Sequence, residues 1–240
     1  MSDKADILLN FSKRISTAKS RVNYFNYLMF RLYMDTHLLV GISRPWEDQF
    51  FNHSFLNYKS DEVMIDGGAF DGDTVRNFLR DSKGNYKKIY AFEPDASNFR
   101  RLKNYASRER DIAPIEMGLS DRNGTVYFLE GEGHGSRIPE DASKSNTKIQ
   151  VCRLDDVVKE RVTYIKMDIE GAEMDAIEGA KNIIAKDNPR LGIAVYHRPE
   201  HMVELAQFIE DYRKKDNVYF SHHTPYVYDS TVFTVPEQHK

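Results

Sequence analysis

The stretch of sequence that decides the fold reads Glu62-Val63-Met64-Ile65-Asp66-Gly67-Gly68-Ala69-Phe70-Asp71-Gly72-Asp73-Thr74. It combines a short apolar strand that ends on an acid with a glycine-rich turn, and Val75–Leu79 continues it as a predicted helix. Glycines let the backbone turn sharply and approach a ligand closely. The order of strand, turn and helix therefore predicts a ligand-binding turn at the end of a strand.

The charges around this turn indicate which ligand it binds. A dinucleotide-binding turn has the pattern Gly-x-Gly-x-x-Gly, with bare amides that face a pyrophosphate. Here Asp66, Asp71 and Asp73 surround the turn, and their carboxylates would repel a phosphate. They suit a ligand with cationic groups, such as the ammonium and sulfonium of S-adenosylmethionine. The turn therefore favours a methyl donor over NAD.

The composition is that of an ordinary globular protein of one large domain, or of a domain with an appendage. Of the 240 residues, 40% are hydrophobic and 30% charged, and the net charge of −3 provides no general attraction to nucleic acid or anionic membranes. The single cysteine, Cys152, excludes an internal disulfide framework. Because neither a signal peptide nor a long apolar span is recognisable, we expect a cytoplasmic protein with no stable membrane insertion and no nucleic-acid partner.

Residues 1–60 differ from the rest of the chain and predict a helical appendage, because they carry apolar side chains at helical spacing. The predicted helices are Ala5–Ser20, Arg21–Val40 and Trp46–Tyr58. The stretch Tyr24–Val40 is apolar enough for an interfacial anchor. However, Arg31, Asp35 and His37 interrupt it, which favours a helix packed on the main domain. The same helices are candidates for a homo-oligomer interface.

From Asp61 onward, predicted strands alternate with helices, which is typical of an α/β fold with a mostly parallel sheet and helices on both faces. After the strand of the glycine turn, the predicted strands are Lys88–Phe92, Ile112–Met117, Thr125–Leu129, Lys148–Leu154, Val162–Met167, Leu191–Tyr196, Val218–Phe220 and Thr231–Val235. The predicted helices are Ala96–Ala106, one that begins at Ala172, and His201–Tyr212.

Two further acids end predicted strands. Glu93 follows Lys88–Phe92, about twenty residues beyond the glycine turn, where a carboxylate can accept both ribose hydroxyls of an adenosine. This spacing fits NAD and S-adenosylmethionine equally. Asp168 follows Val162–Met167 in the same way. Because ligands of open α/β sheets bind at the carboxyl ends of the strands, we expect Asp66, Glu93 and Asp168 to converge on one crevice.

Polar residues near other strand ends allow both a functional and a structural interpretation. Ser120 and Asp121 could bind the exocyclic amine of an adenine, or could belong to the turn that follows them. Glu170 and Glu173 could line the site, or could cap the positive N-terminus of the next helix. For Glu173 we favour capping.

Four segments of the chain resemble the successive motifs of the FkbM-type S-adenosylmethionine-dependent methyltransferases, over about residues 61–235. These segments are Asp66–Thr74, Phe92-Glu93-Pro94, Leu119-Ser120-Asp121 and Lys166–Glu173. The resemblance implies a class I methyltransferase fold, which is a Rossmann-like, mostly parallel sheet of seven strands with a reversed last strand. It also implies O-methylation, commonly of sugar or polyketide hydroxyls. We therefore predict a donor-binding methyltransferase domain over residues 61–240 that follows the helical appendage.

The residues predicted to bind the donor are Asp66, Gly67, Gly68, Phe70, Asp71, Gly72, Thr74, Glu93, Ser120, Asp121 and Asp168. We expect the glycine turn to shape the methionine end of the pocket and Glu93 to bind the ribose. Ser120 and Asp121 are expected at the adenine end, and Asp168 near the reacting sulfur.

A histidine is the candidate for a catalytic base, because deprotonating a hydroxyl requires a base near its proton and histidine titrates near neutral pH. His197, after Leu191–Tyr196, is the preferred candidate, and we predict a catalytic role for it and for Asp168. Weaker candidates are His134, His222 and His223. Methyl transfer to oxygen can also rely on placing the acceptor in line with the sulfonium. A metal site formed by Asp168, Glu170 and His197 is a less favoured alternative.

The preferred hypothesis is a methyltransferase that acts on a hydroxyl of a carbohydrate or related metabolite, with a small molecule or glycan as acceptor. The alternatives are an NAD-dependent oxidoreductase and a non-catalytic module that binds the donor. The loop Glu130–Asn146 combines glycines with polar groups, and loops of this length are usually functional or disordered. We therefore expect an acceptor-side lid there, with a disordered excursion as the alternative.

Overall fold

The computed structural model describes residues 2–128 and 147–237, so the predicted lid Glu130–Asn146 and its His134 lie outside the described residues. The helices are α1 (Ser2–Arg14), α2 (Ala18–Tyr33), α3 (His37–Val40), α4 (Asp73–Ser82), α5 (Ala96–Ala106), α6 (Leu154–Val157), α7 (Glu173–Gly179), α8 (Lys181–Asp187) and α9 (His201–Tyr212), with a 3-10 turn at Trp46–Asp48. The strands are β1 (Val63–Gly67), β2 (Lys88–Phe92), β3 (Ile112–Ile115), β4 (Gly118–Leu119), β5 (Gly124–Phe128), β6 (Thr147–Cys152), β7 (Tyr164–Met167), β8 (Arg190–Ala194), β9 (Asn217–His222) and β10 (Ser230–Val235). Within the described ranges, none of the helices combines the length and the apolar character that a membrane span requires.

The chain divides into two compact units. One unit is Asn57–Pro189, and the other joins Met1–Leu56 to Arg190–Lys240. The first unit contains the glycine turn, and the second contains the N-terminal helices together with the last strands of the chain. The predicted division into residues 1–60 and 61–240 stays a prediction.

The main sheet has seven strands in the order β3-β2-β1-β7-β8-β10-β9. In the unit Asn57–Pro189, β1 pairs in parallel with β2 and with β7, and β2 pairs in parallel with β3. In the other unit, β10 runs antiparallel to both β8 and β9. The last strand of the chain is therefore the reversed one, which confirms the predicted class I α/β sheet.

A second, three-stranded sheet in the order β4-β6-β5 belongs to the unit Asn57–Pro189. Ile149 and Val151 of β6 are buried there against Val126 of β5. The alternating pattern of these segments predicted the two strands but not their separate sheet, because alternation identifies a buried face without identifying the pairing partner. The two-residue strand β4 was not predicted.

The N-terminal helices pack on β9 within their own unit. The rings of Tyr24 and Tyr27 lie 5.6 and 5.5 Å from the ring of Phe220, so helix packing is preferred over an isolated interfacial anchor, as expected. The predicted helix Ala5–Ser20 is wrong at its end. The helix α1 ends at Arg14. Two residues further on, the amide of Ser16 donates to the carbonyl of Val218 at 2.8 Å.

Two other helix predictions in this region need correction. The predicted helix Arg21–Val40 is interrupted at Met34, which has φ 57° and caps α2 in the left-handed conformation. The predicted helix Trp46–Tyr58 is wrong, since it contains only the 3-10 turn Trp46–Asp48. Its aromatic side chains serve tertiary packing, and the ring of Phe55 stacks on that of Tyr219 at 3.9 Å.

Candidate functional site

The carboxyl end of β1 places Asp66 at the base of the glycine turn. Asp66 is fully buried, and Thr74 in the first turn of α4 donates its hydroxyl to Oδ2 of Asp66 at 2.5 Å. On the other side, Nζ of Lys166 lies 2.9 Å from Oδ1 of Asp66. The two residues face each other in the register of β1 and β7. The predicted donor residues Asp66 and Thr74 are thus brought together.

Lys166 is the residue of this site to which the sequence analysis assigned no role. Its ammonium also donates to the carbonyls of Gly67 and Gly68 at 3.0 and 2.8 Å. Burial by itself lowers the pKa of Lys166, but the carboxylates of Asp66 and Asp168 raise it above its ordinary value. Lys166 is therefore a buried cation that holds both the acid and the backbone of the turn. A lysine inside the otherwise apolar run of β7 is the signal that could have identified it.

The glycine turn needs glycine at its second position for a steric reason. Gly68 has φ 74°, and a Cβ placed there would lie 1.9 Å from the carbonyl oxygen of Asp168. Its amide and that of Ala69 donate to the carbonyl of Phe92 at 3.1 and 3.0 Å. The turn is therefore fixed between the ends of β2 and β7, where the backbone leaves no room for a side chain.

The other acids of the turn differ in their surroundings. Asp71 forms an ion pair of 2.7 Å with Arg76. Asp73 begins α4 and accepts the amide of Thr74 at 2.7 Å, and burial raises its pKa although Lys166 opposes the shift. Asp66 and Asp71 thus have cationic partners within the chain. The concentration of negative charge that the sequence suggested is partly neutralised, which weakens the charge argument for a cationic ligand.

Glu93 connects the end of β2 to the glycine turn. Its carboxylate accepts the amide of Phe70 at Oε2 and the amide of Asp95 at Oε1, both at 2.9 Å. Burial raises the pKa of Glu93 to about 7, and these two amides oppose the shift. Phe70 adopts the left-handed conformation, with φ 49°. Each carboxylate oxygen keeps a second lone pair, so the group can accept further hydrogen bonds from a ligand.

Ser120 and Asp121 follow β4 and are bonded to each other. The hydroxyl of Ser120 donates to Oδ1 of Asp121 at 3.1 Å, and the amide of Ser120 donates to the carbonyl of Cys152 at 3.0 Å. A Cβ at Gly67 would lie 3.0 Å from Cδ1 of Leu119, so the end of β4 borders the glycine turn. The role of the pair at an adenine stays a prediction.

The loop after β7 brings Asp168 to the turn and gives Glu173 a structural task. The amide of Asp168 donates to the carbonyl of Gly67 at 3.1 Å. Glu173 is fully buried, and its Oε1 accepts the amides of Ile169 and Gly171 at 2.9 and 3.4 Å. The carboxylate of Glu173 thus satisfies backbone donors just before α7, in agreement with the structural interpretation.

The histidine candidates His197, His222 and His223 lie in the other unit. His197 follows β8, with its ring 4.0 Å from the ring of Tyr196, and its catalytic role stays a prediction. His222 is buried, with Nδ1 2.8 Å from Oγ of Ser230, and burial lowers its pKa to about 4. Burial likewise lowers the pKa of His223 to about 3. Burial thus disfavours the protonated form of both rings, which makes His222 and His223 weaker proton acceptors than an exposed histidine.

A mostly parallel sheet with a reversed last strand, and a glycine turn after its first strand, define the class I methyltransferase fold. The Methyltransferase FkbM domain family matches residues 66–219 of the chain, which is more than half of it. The chain therefore belongs to the FkbM methyltransferase family, and methyl transfer is favoured over the oxidoreductase alternative.

Two relatives show how far the similarity extends. The chain is 29% identical over 170 residues to the 2-O-methyltransferase NoeI of Sinorhizobium fredii (strain NBRC 101917 / NGR234), covering 61% of this chain and 69% of that protein. It is similar in structure to the FkbM methyltransferase of Methylobacillus flagellatus KT, with a TM-score of 0.85 and 25% identity over 97% of this chain. The chain spans 59% of the length of that second relative.

Proposed function

We propose that the chain transfers the methyl group of S-adenosylmethionine to a hydroxyl of a carbohydrate or related metabolite. The observation that carries the proposal is the glycine turn after β1. Lys166 donates to two carbonyls of this turn, and the carboxylate of Glu93 accepts the amide of Phe70. Family membership supports methyl transfer. The name of NoeI as a 2-O-methyltransferase supports oxygen as the methylated atom.

The residues around the turn fit an adenosine-containing donor. The donor supplies an electrophilic methyl group on a sulfonium. Gly68 lets the turn pass directly against the backbone of Asp168, because a Cβ there would lie 1.9 Å from that carbonyl oxygen. The turn is thereby held at the carboxyl ends of the strands, where ligands of open α/β sheets bind. In this proposal Gly68, Gly72 and Thr74 border the methionine portion. Asp66 and Asp71 have cationic partners within the chain. The third acid of the turn, Asp73, lies at the start of α4 and can attract an ammonium group.

Glu93 is assigned to the ribose. Its two oxygens already accept one amide each, which holds the carboxylate in one orientation, and their remaining lone pairs are available for two hydroxyls. Ser120 and Asp121 are assigned to the adenine end. Gly67, Phe70 and Asp71 complete the donor site through the backbone of the turn.

Catalysis is assigned to Asp168 and His197. Asp168 follows β7 and is half-buried beside the turn, where it can border the reacting sulfur. His197 is proposed as the base that accepts the proton of the acceptor hydroxyl. Placement of the hydroxyl in line with the methyl group supplies much of the remaining acceleration. The acceptor is a small molecule or glycan.

The proposal is tested by incubating the purified protein with methyl-labelled S-adenosylmethionine and a panel of sugar nucleotides, oligosaccharides and hydroxylated metabolites. We expect label in an alkali-stable methyl ether, with a rate at least tenfold lower in His197→Gln (our estimate from the usual contribution of a general base). Methyl transfer to nitrogen would contradict the O-methylation proposal. Tight donor binding without transfer to any acceptor would favour the non-catalytic module.

A further inference from the structure

Helix α2 is apolar on two opposite faces, and only one of them is covered within its unit. Its inner face buries Tyr24, Tyr27 and Phe30. Its outer face exposes large apolar side chains, with exposed fractions of 39–73%: Val22, Phe25, Met29, Leu32 and Tyr33. A helix that is apolar all round is normally buried all round. A contiguous exposed apolar patch of this kind marks an interaction surface.

Charges stand only at the two ends of this outer face. Lys19 is exposed in the first turn of α2. Asp35, whose Oδ1 lies 2.9 Å from Nδ1 of His37, is exposed just beyond the last turn. Between them, Arg21 and Arg31 are half-buried. Arg21 donates to the carbonyl of Ile15 at 2.6 Å, and Arg31 interacts with Tyr27 of the inner face. The face thus has a positive end, an apolar middle and a negative end.

We propose that the outer face of α2 binds the same face of a second copy of the chain, antiparallel, around a two-fold axis at the level of Tyr27. A two-fold axis there places each residue opposite the one equally far beyond the axis. Phe25 then lies opposite Met29 of the second copy, and Val22 lies opposite Leu32. Four of the five apolar side chains of the face thus meet apolar side chains, and Tyr33 lies opposite Arg21.

The same register also pairs the charges. Lys19 and Asp35 are each eight residues from Tyr27, so each lysine lies at the same end as the aspartate of the second copy, which follows the left-handed cap Met34. The C-terminal end of each helix, with its partial negative charge, also meets the positive N-terminal end of the other. One choice of axis therefore pairs four of the five apolar positions with one another and brings the opposite charges of Lys19 and Asp35 to the same ends.

A lipid surface is the less favoured occupant of this face. Helices that lie in a membrane interface carry many lysines and arginines beside the apolar residues. The exposed positions from Val22 to Tyr33 carry none, and Asp35 would oppose an anionic headgroup. The observed charges complement a second copy better than they complement a membrane.

Crosslinking of the full-length chain tests the register. The native Cys152 is buried, so engineered thiols can be read separately. In the proposed dimer, the double variant Val22→Cys/Leu32→Cys brings each new thiol beside the other type in the second copy. A short bifunctional thiol crosslinker should give a covalent dimer. Val22→Cys alone should not, since its two copies would be ~15 Å apart along the axis at 1.5 Å per residue.

Sedimentation at several protein concentrations tests the affinity. Phe25→Glu should raise the dimer dissociation constant at least about tenfold. The matched control is Leu9→Glu, because Leu9 is also an exposed apolar residue, on α1, and it should leave the constant unchanged. Lys19→Glu and Asp35→Lys should each weaken the dimer, and the double exchange should restore it.

Three results would overturn the proposal. A wild-type chain that stays monomeric at about 100 μM would be one, whether or not it binds vesicles. Binding of that monomer to phosphatidylserine vesicles, lost in Phe25→Glu, would assign the face to a lipid surface instead. A dimer that persists unchanged in Phe25→Glu would place the interface elsewhere.

Discussion

Nζ of Lys166 lies 2.9 Å from Oδ1 of Asp66, and both residues are almost completely buried. They occupy opposite positions in the register of β1 and β7, so the ion pair joins the two strand ends that border the glycine turn. The same ammonium binds the carbonyls of Gly67 and Gly68. One buried cation therefore fixes both the acid and the backbone to which we assign the methyl donor.

Lys166→Met should destabilise the folded chain by about 3–5 kcal/mol, because it leaves the buried Asp66 without its cation. Urea denaturation of both proteins measures this difference. Lys87→Met is the matched control, since Lys87 forms an ion pair of 3.0 Å with Glu160 but is 60% exposed. Its cost should stay below about 1 kcal/mol. Equal costs for the two variants would show that the buried pair has no special role.

Gly68→Ala should abolish donor binding and lower the melting temperature, because the new Cβ would lie 1.9 Å from the carbonyl of Asp168. Gly84→Ala is the matched control, because it introduces similar backbone strain without this clash. Gly84 has φ 73°, nearly the value of Gly68, but a Cβ there meets nothing within 4 Å. We expect Gly84→Ala to cost about 1–2 kcal/mol and to leave donor binding intact. Similar losses in both variants would contradict the steric account.

Local patterns predicted most of the sheet. The segments Lys88–Phe92, Ala96–Ala106 and His201–Tyr212 form their elements with the predicted bounds, because each has a clear apolar period between turn residues. The glycine turn and the strand-ending acids Asp66 and Glu93 were also recognisable. Asp66 and Glu93 lie at the ends of consecutive predicted strands, and these two strands are parallel neighbours in the sheet.

What the sequence left unpredicted depends on contacts between distant segments. The aromatic spacing of Trp46–Tyr58 resembles that of a helix, yet the stacking of Phe55 on Tyr219 holds that segment in another conformation. Two ion pairs were also not predicted from the sequence: that of Asp71 with Arg76 and that of Asp66 with Lys166. Counting acids around a turn does not reveal which of them already have cationic partners.

The stability of the chain should depend on pH through Glu93. Burial raises its folded pKa from 4.5 to about 7, so between these values the folded chain keeps a proton that the unfolded chain has lost. The contribution of Glu93 to stability should therefore fall as pH rises from 4.5 to 7. Glu93→Gln removes this dependence, and its stability relative to the wild type should increase over the same range. A difference that does not change with pH would show that Glu93 is ordinarily ionised.

The buried histidines should make the chain sensitive to acid. Burial lowers the folded pKa of His222 from 6.5 to about 4, and that of His223 to about 3. The unfolded chain therefore binds protons first, and stability should be lost as pH falls from 6.5 toward 3. The urea midpoint should fall less steeply in His222→Gln/His223→Gln. His37→Gln is the control, because the side chain of His37 is 93% exposed, and an equal flattening there would contradict the account.

Calorimetric titration with S-adenosylhomocysteine, beside a titration with NADH, tests the central claim most directly. We expect S-adenosylhomocysteine to bind with a dissociation constant in the micromolar range and NADH to give no heat of binding. In Glu93→Ala the affinity should fall by about tenfold or more, because loss of a charged hydrogen-bond partner costs about 1.5–3 kcal/mol. Binding of NADH without binding of S-adenosylhomocysteine would contradict the assignment of the glycine turn to a methyl donor.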